Sequence, residues 1–200
     1  MNVIPQRVRD GFGNLLDPLA AALIRLHVRP NLITTVGTLI VIATAAAFAV
    51  GRVRWGGALL LVSGLFDMVD GRVARRGHMI TTFGAFYDST LDRVGEGLML
   101  GSISLVFMRD GQELALAFAV AAIGGSFLVP YARAKAEGLG IKGDVGIGSR
   151  AERVVAISAG LVLAPWGVLP WAIGILAVTA WFTVLQRILH VRRELRSSVS

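Results

Sequence analysis

The sequence predicts an all-α integral membrane protein, a bundle of six transmembrane helices preceded by an amphipathic helix in the membrane interface. Of its 200 residues, 54% are hydrophobic and only 16% are charged, whereas a soluble domain carries about 25% charged residues. The hydrophobic residues also fall in long runs, which excludes a disordered chain and a soluble pattern of alternating faces. We interpret the chain as one membrane domain, with residues 1–30 before the spans and 31–190 within them.

The six predicted spans follow from the length of the apolar runs. A helix that crosses a bilayer needs about 20 mostly apolar residues, because the hydrocarbon layer is about 30 Å thick. Six stretches meet this requirement or come close to it, and the fifth is the shortest. They are residues 31–50, 55–75, 83–108, 112–136, 152–167 and 169–190.

The segment before the first span has a different pattern. Residues 12–27 place apolar side chains at steps of three or four, with Asp17 and Arg25 off that stripe. This spacing is typical of a helix that lies in the membrane interface. The segment also lacks an uninterrupted signal-peptide core, so we expect it to be retained. The stripe consists of Leu15, Leu16, Leu19, Ala22, Leu23 and Leu26.

The basic residues predict the orientation of the chain. With six spans, 16 of the 20 Lys and Arg residues fall on one side and three on the other, while Arg93 lies inside a span. This asymmetry predicts cytoplasmic termini for a multi-pass protein of the inner (cell) membrane. A net charge of +7 would suggest nucleic acid for a soluble protein, but here the charges face anionic lipid headgroups. The absence of cysteine excludes disulfides and thiolate chemistry.

Four carboxylates lie where a membrane protein avoids charge. Asp67 and Asp70 are near the end of the second span, and Asp88 and Asp92 are near the start of the third. Each such residue costs about 2.5–3.5 kcal/mol on insertion scales and usually faces a polar cavity. The spacings i,i+3 and i,i+4 place each pair on one helix face. Because a short turn around residues 76–79 joins the two spans, we expect all four to converge at the cytoplasmic end.

This set of ligands indicates a particular kind of metal. Hard carboxylate oxygens, with no Cys and no His on either face, favour Mg²⁺ or Mn²⁺ over zinc. Four carboxylates are enough for two ions that clamp a phosphoryl group during displacement. The alternative is that they are helix-end carboxylates paired with nearby cations, which are Arg72, Arg75, Arg76 and Arg93.

Two glycines border the carboxylates. Gly71 follows Asp70 directly, and Gly84 lies one turn before Asp88. Without side chains, both positions would let a phosphate or nucleotide approach the backbone. For Gly84, ordinary packing of small residues between membrane helices is an equally simple explanation.

A transporter is the alternative from another functional class. Transporters often place intramembrane carboxylates near the midplane, on broken helices in repeated halves. The sequence shows no such repeat, and the cluster of four Asp residues is confined to one helical hairpin.

Residues 67–92 carry a resemblance to a known family. They read D-M-V-D-G-R-V-A-R, eight further residues, and G-A-F-Y-D-S-T-L-D. This resembles the signature of the CDP-alcohol phosphotransferase family, D-x2-D-G-x2-A-R-x8-G-x3-D-x3-D. The resemblance implies a homodimeric, metal-dependent enzyme of phospholipid synthesis that transfers a phosphatidyl group from CDP-diacylglycerol to an alcohol and releases CMP. The matching positions are Asp67, Asp70, Gly71, Ala74, Arg75, Gly84, Asp88 and Asp92.

The resemblance also implies roles for single residues. Asp67, Asp70 and Asp88 ligate the metals, and Asp92 ligates one of them and acts as the general base. Arg75 counters the charge of the diphosphate. For Asn31, which follows Pro30, capping of the helix N-terminus is an alternative. The residues implied for CDP-lipid binding are Asn31, Leu32, Ile33, Thr34, Gly71, Arg75 and Thr81.

Residues 131–153 are similar to the corresponding stretch of actinobacterial phosphatidylinositol phosphate synthases. This implies inositol phosphate as the acceptor, a phosphorylated polyol whose phosphate is held by Arg133, Arg153 and Arg187. Arg133 replaces a Lys, and Ala151 replaces a Pro of that stretch. Glycerol 3-phosphate is the alternative acceptor within the family. The arginines have an alternative explanation too, because Arg at the cytoplasmic end of a span commonly fixes orientation.

Overall fold

The computed structural model of the chain describes residues 6–143, 145–146, 157–164 and 167–197, with side chains from residue 16 onward except 53–55. The described residues are helical apart from turns and short connections, which confirms the predicted all-α class. The helices are α1 (Gln6–Arg25), α2 (Pro30–Ala49), α3 (Val53–Arg76), α4 (Thr82–Arg109), α5 (Glu113–Gly138), α6 with described residues 157–162, and α7 (Leu169–Ser197).

The first four predicted spans coincide with α2 to α5, and each helix end lies within two residues of its predicted position. The last predicted span begins with α7 at residue 169, but α7 continues past residue 190 to Ser197. Its polar C-terminal residues end the apolar run without ending the helix. Of the fifth predicted span, residues 152–167, the structure describes 157–164 and 167, and residues 157–162 are helical.

Within the part of the chain that the structure describes, three helices are long and apolar enough to cross a membrane, namely α2, α5 and α7. The helices α3 and α4 are 24 and 28 residues long, which also exceeds the length of a span. They carry the Asp and Arg residues that lower their hydropathy. The chain therefore has the helices of a membrane protein, and α3 and α4 carry the charged residues of chemical interest.

The chain divides into two compact units within α4, residues 4–102 and 103–200. In the first unit α2 and α3 pack closely, since a Cβ on Gly37 would lie 3.1 Å from the Cβ of Phe66. Ser63 Oγ donates a hydrogen bond of 3.2 Å to the Gly37 carbonyl oxygen. The buried core of this unit includes Ala20, Ile33, Val69 and Val73.

The apolar stripe predicted for α1 is divided between the core of the first unit and its surface. Leu16 and Leu23 contact the core, but Leu19, Ala22 and Leu26 are exposed. Asp17, expected to lie off the stripe, faces α3. The face of α1 is set by ion pairs as well as by apolar contacts.

These ion pairs join Asp17 to two arginines of α3. Arg72 Nε lies 3.2 Å from Asp17 Oδ1, and Arg76 Nη2 lies 2.5 Å from Asp17 Oδ2. Two arginines that could have paired with the carboxylates of α3 and α4 are thus engaged by α1. This weakens the alternative that those carboxylates are ordinary helix-end partners of arginine.

The turns after α1 and α3 share one geometry. His27 and His78 have positive φ angles of 55° and 52°, which is the left-handed region that side chains avoid. After His27, the N–H of Val28 bonds to the Leu23 carbonyl; after His78, the N–H of Met79 bonds to the Ala74 carbonyl. Each of these bonds joins an N–H to the carbonyl five residues earlier, which is the bond of a Schellman motif at the C-terminus of a helix. Both turns reverse the chain within a few residues, which brings the start of α4 beside the end of α3.

In the second unit α5 and α7 are connected by side-chain hydrogen bonds to backbone. Trp181 Nε1 donates to the Ala121 carbonyl oxygen at 2.9 Å. Arg187 Nε donates to the carbonyl of Val145 at 2.9 Å, and Arg187 Nη1 donates to the carbonyl of Val129. The connection after α5 is also held by His190, whose Nε2 lies 3.1 Å from the Lys142 carbonyl oxygen.

Candidate active site

Three of the four predicted carboxylates meet in the first unit. Asp67 and Asp70 lie on α3 and Asp88 lies on α4, and one oxygen atom from each lies within 4.8 Å of the other two. Asp70 is buried, with 6% of its surface exposed, and the other two are partly buried. The i,i+3 spacing on α3 and the short turn to α4 produce this meeting, as the sequence predicted.

These three residues fit a divalent cation. Their donor atoms are hard oxygens, which suit Mg²⁺ and Mn²⁺. Like charges this close repel strongly in a site shielded from water. A cation is the simplest group that would remove the repulsion and satisfy three carboxylates at once.

Asp92 is not part of this group. It lies on the same helix as Asp88, four residues further along, and its side chain is only 10% exposed. One of its oxygens, Oδ2, lies 3.5 Å from Arg93 Nη2. Four residues of helix separate Asp88 and Asp92 by about 6 Å along the axis, so the two carboxylates share a helix face but lie at different depths.

Asp70 has a hydrogen-bond partner on α2. Thr34 Oγ1 donates to Asp70 Oδ2 over 2.7 Å, and both side chains are buried. The sequence implied nucleotide binding for Thr34 and gave no indication of this contact. The hydroxyl of Thr34 therefore belongs to the immediate surroundings of the carboxylates.

The two glycines of the signature adjoin polar side chains. A Cβ on Gly71 would lie 3.2 Å from Arg75 Nη1, so the guanidinium folds back along α3 over this residue. A Cβ on Gly84 would lie 2.9 Å from Thr81 Oγ1 and 3.2 Å from Asn31 Oδ1. Gly84 thus adjoins polar oxygens, which argues against simple apolar helix packing as its reason.

The residues implied for CDP-lipid binding do not all lie together. Asn31 and Thr81 come together at Gly84, and Thr81 Oγ1 accepts a hydrogen bond of 2.9 Å from the Gly84 N–H. The alternative that Asn31 caps α2 is wrong, because the N-cap is Arg29 and it makes no side-chain capping bond. Leu32 is exposed, while Ile33 is 5% exposed and belongs to the core.

Sequence reasoning missed one acidic residue. Glu96 lies four residues after Asp92 on α4, its side chain is 12% exposed, and its Oε2 lies 3.8 Å from Arg93 Nε. The signal was present, because Glu96 falls inside a predicted span and continues the i,i+4 series of Asp88 and Asp92. Arg93 lies between two carboxylates and helps to offset their charge.

The residues implied for acceptor binding belong to the second unit. Arg133 Nε pairs with Glu137 Oε1 at 2.8 Å, and both side chains are about half exposed. Arg187 donates to two backbone carbonyls, those of Val145 and Val129. Arg153 lies outside the described residues. The described arginines therefore have structural contacts of their own.

Comparisons with known proteins agree with the signature. The sequence profile of the CDP-alcohol phosphatidyltransferase family matches residues 27–189. The chain is 40% identical over 185 residues to the archaetidylinositol phosphate synthase of Methanothermobacter thermautotrophicus, with 90% of each chain covered. It is 36% identical over 193 residues to the phosphatidylinositol phosphate synthase of Mycolicibacterium smegmatis, covering 92% of this chain and 86% of the relative.

Solved structures agree as well. The crystal structure of the Mycobacterium tuberculosis phosphatidylinositol phosphate synthase with CDP-DAG bound superposes with a TM-score of 0.80 at 28% identity, covering 87% of this chain and 92% of that one. The same synthase in complex with manganese and citrate gives a TM-score of 0.79 at 29% identity, with 87% of each chain covered. The chain therefore belongs to the CDP-alcohol phosphatidyltransferase family, whose members are divalent-metal-dependent transferases of phospholipid biosynthesis.

Proposed function

We propose that this enzyme transfers the phosphatidyl group of CDP-diacylglycerol to a hydroxyl of inositol phosphate, giving phosphatidylinositol phosphate and CMP. The observation that carries the proposal is the meeting of Asp67, Asp70 and Asp88 within the signature of the family. Membership in a family of enzymes sets the transporter alternative aside and leaves the acceptor as the open choice.

Two observations support inositol phosphate as the acceptor. The synthases from the archaeon and from the mycobacterium have names with inositol phosphate in common, although the lipid parts of the names differ. The second unit also carries Arg133, Arg153 and Arg187, and the planar guanidinium matches the oxygens of a phosphate. An acceptor that already carries a phosphate needs such groups, whereas free inositol does not.

The carboxylates are proposed as the metal site. Asp67, Asp70, Asp88 and Asp92 would hold Mg²⁺ or Mn²⁺, and their number suffices for two ions. A bound cation neutralises charge that develops on the phosphoryl oxygens and on the departing CMP.

The residues of the chain carry the remaining steps. The acceptor oxygen bonds to the lipid-side phosphorus of the diphosphate while the bond from that phosphorus to the CMP oxygen breaks. Asp92 takes the proton of the acceptor hydroxyl as the new bond forms. Gly71 and Arg75 hold the CDP part of the substrate, and Arg75 counters the charge of the diphosphate. The other residues proposed for CDP-lipid binding are Asn31, Leu32, Ile33, Thr34 and Thr81.

The arrangement in the membrane is part of the proposal. Six spans in one domain, preceded by the interfacial α1, would place both termini and the carboxylates at the cytoplasmic side of the inner membrane. The distribution of Lys and Arg supports this orientation. It also suits a substrate whose acyl chains lie in lipid and whose nucleotide lies in water. We further propose a homodimer, as the family resemblance implies.

A panel of acceptors tests the proposed function. The purified protein in detergent receives CDP-diacylglycerol, Mg²⁺ and one of four acceptors, namely inositol 1-phosphate, free inositol, glycerol 3-phosphate or serine. CMP and the lipid product are both measured. Turnover confined to inositol 1-phosphate supports the proposal, and turnover with glycerol 3-phosphate alone would move the enzyme to the alternative acceptor.

One arginine variant and its control sharpen this test. Arg153→Ala is expected to raise the KM for inositol phosphate far more than the KM for CDP-diacylglycerol. Arg52→Ala, an exposed arginine expected on the opposite side of the membrane, should change neither. Equal KM values for inositol phosphate in Arg153→Ala and the parent enzyme would contradict the acceptor site.

A further inference from the structure

The helix α2 contributes no carboxylate to the group of Asp67, Asp70 and Asp88 but contacts both helices that do. Thr34 Oγ1 donates to Asp70 Oδ2 on α3, and Thr35 Oγ1 lies 2.9 Å from the hydroxyl oxygen of Tyr87 on α4. Consecutive helical residues point about 100° apart, which lets neighbouring threonines reach two different helices. We propose that Thr34 and Thr35 are positioning residues, which hold the carboxylates of α3 and α4 at the spacing that a divalent cation requires.

The contact of Thr34 is the more direct of the two. Its hydroxyl has one hydrogen, and two acceptors are within reach, Asp70 Oδ2 at 2.7 Å and the Pro30 carbonyl oxygen at 3.2 Å. The shorter distance and the charge of the carboxylate favour Asp70, because bonds from a hydroxyl to a carboxylate are short and strong. This bond restrains the orientation of the Asp70 carboxylate relative to α2.

The contact of Thr35 acts on the helix that carries Asp88. Thr35 Oγ1 donates its single hydrogen to the Asn31 carbonyl oxygen at 2.7 Å, so the Tyr87 hydroxyl is the donor to Thr35. The Tyr87 ring stacks on Phe83, with centroids 5.7 Å apart and an angle of 25° between the planes. Tyr87 directly precedes Asp88 in the sequence, so this hydrogen bond secures the first turns of α4 against α2.

The need for such a device follows from the origin of the three ligands. Asp67 and Asp70 share α3, which fixes their relative positions, whereas Asp88 comes from another helix. The separation of α3 and α4 is therefore the variable that sets the ligand spacing. Repulsion among three nearby carboxylates pushes these helices apart, and contacts from α2 to both of them oppose that movement.

The test measures Mn²⁺ binding by electron paramagnetic resonance on the full chain in detergent, without nucleotide or lipid substrate. Thr34→Val keeps the shape of the side chain but removes the donor, and it should weaken Mn²⁺ binding about 10–100-fold, as loss of an outer-shell partner does. Thr34→Ser retains the hydroxyl and should stay close to the parent affinity. The control is Thr44→Val, since Thr44 is also buried on α2 but, among the described residues, its hydroxyl donates to the Ile40 carbonyl of its own helix.

The second contact is tested by a cycle of variants. Thr35→Val and Tyr87→Phe should each weaken Mn²⁺ binding less than Thr34→Val does. Both substitutions remove the same hydrogen bond. The double variant should therefore bind Mn²⁺ as tightly as the single variant with the lower Mn²⁺ affinity. Full additivity would show that the two side chains act separately and would overturn this half of the proposal.

The inference rests on the proposed metal site, and one further variant separates the two. Asp70→Asn should lose Mn²⁺ binding. If binding survives Asp70→Asn, the metal site itself is wrong. If binding is lost in Asp70→Asn but unchanged in a folded Thr34→Val protein, the metal site stands and the positioning role is wrong. Should Thr34→Val fail to fold, the conservative Tyr87→Phe variant still decides, since parent-like Mn²⁺ affinity there would contradict the role of α2.

Discussion

The carboxylates of α3 and α4 and the arginines of the second unit contribute to the proposed chemistry in different ways. Asp67, Asp70 and Asp88 bring like charges together, which has no structural benefit without a cation. Arg187 instead uses two of its donors on backbone carbonyls of its own unit. These two bonds hold the backbone of α5 and of the connection after it. In the proposed function the first region would hold a metal, whereas the arginine of the second region has a structural role that the geometry shows directly.

Removal of the divalent metal should have the largest effect on the rate of CMP release. Chelation with EDTA should reduce CMP release to background, because the charge on the phosphoryl oxygens is then not neutralised. Adding Mg²⁺ or Mn²⁺ should restore the rate, whereas Ca²⁺, which prefers longer bonds and more ligands, should restore less. Full activity in chelator would remove the metal role from the carboxylates.

The next effect separates Asp92 from the other three carboxylates. Asp92→Asn should lower kcat about 10²–10⁴-fold, the range of a lost general base. It should weaken Mn²⁺ binding less than Asp88→Asn does, because Asp92 lies outside the group of three. Rates by CMP release and affinities by Mn²⁺ titration check both statements. Asp110→Asn, in the exposed turn after α4, is the control and should match the parent, whereas normal turnover in Asp92→Asn would reject its role as base.

Substitutions of Arg187 and Arg133 should differ in how much they lower the free energy of unfolding. Arg187→Ala removes charged hydrogen bonds from two backbone carbonyls and should cost about 1.5–3 kcal/mol for each bond that finds no substitute. Arg133→Ala removes an exposed i,i+4 pair with Glu137 and should cost about 0.3–0.5 kcal/mol. The midpoint of thermal unfolding in detergent should therefore fall much further for Arg187→Ala. Equal midpoints would show that Arg187 has no structural role.

The smallest expected effect concerns the turn that joins the two carboxylate helices. His78 adopts a φ of 52°, and replacing it by glycine should relieve about 0.5–1 kcal/mol of backbone strain. His78→Gly should raise the unfolding midpoint slightly, whereas His78→Ala keeps the Cβ and should not. A lower midpoint for His78→Gly would mean that the histidine side chain stabilises the turn.

Much of this fold could be predicted because apolar runs and their polar ends set the helices α2 to α5. The carboxylate group could be predicted because spacing on a helix and a short turn leave little freedom in where Asp67, Asp70 and Asp88 lie. Asp92 was expected to join them, but a further helical turn separates it from Asp88. The face of a helix on which a residue lies is easier to predict than its position along the helix axis relative to a neighbouring helix.

Other contacts could not be predicted from a single sequence. The bond from Thr34 to Asp70 depends on how α2 packs against α3, which the pattern of apolar residues does not determine. The bonds of Arg187 to Val145 and Val129 depend on the course of the connection after α5. The position of Asp17 against α3 depends on arginine partners that lie 55 and 59 residues further along the chain.

The three neighbouring carboxylates also connect the cellular supply of metal with the amount of enzyme. A cation that binds only the folded chain raises its apparent stability, by about 2.7 kcal/mol when the free ion is at 100 times its Kd. Without the ion, mutual repulsion favours chains that open and are removed by quality control. Magnesium limitation would then reduce membrane lipid synthesis twice, by slowing each enzyme molecule and by lowering how many molecules persist.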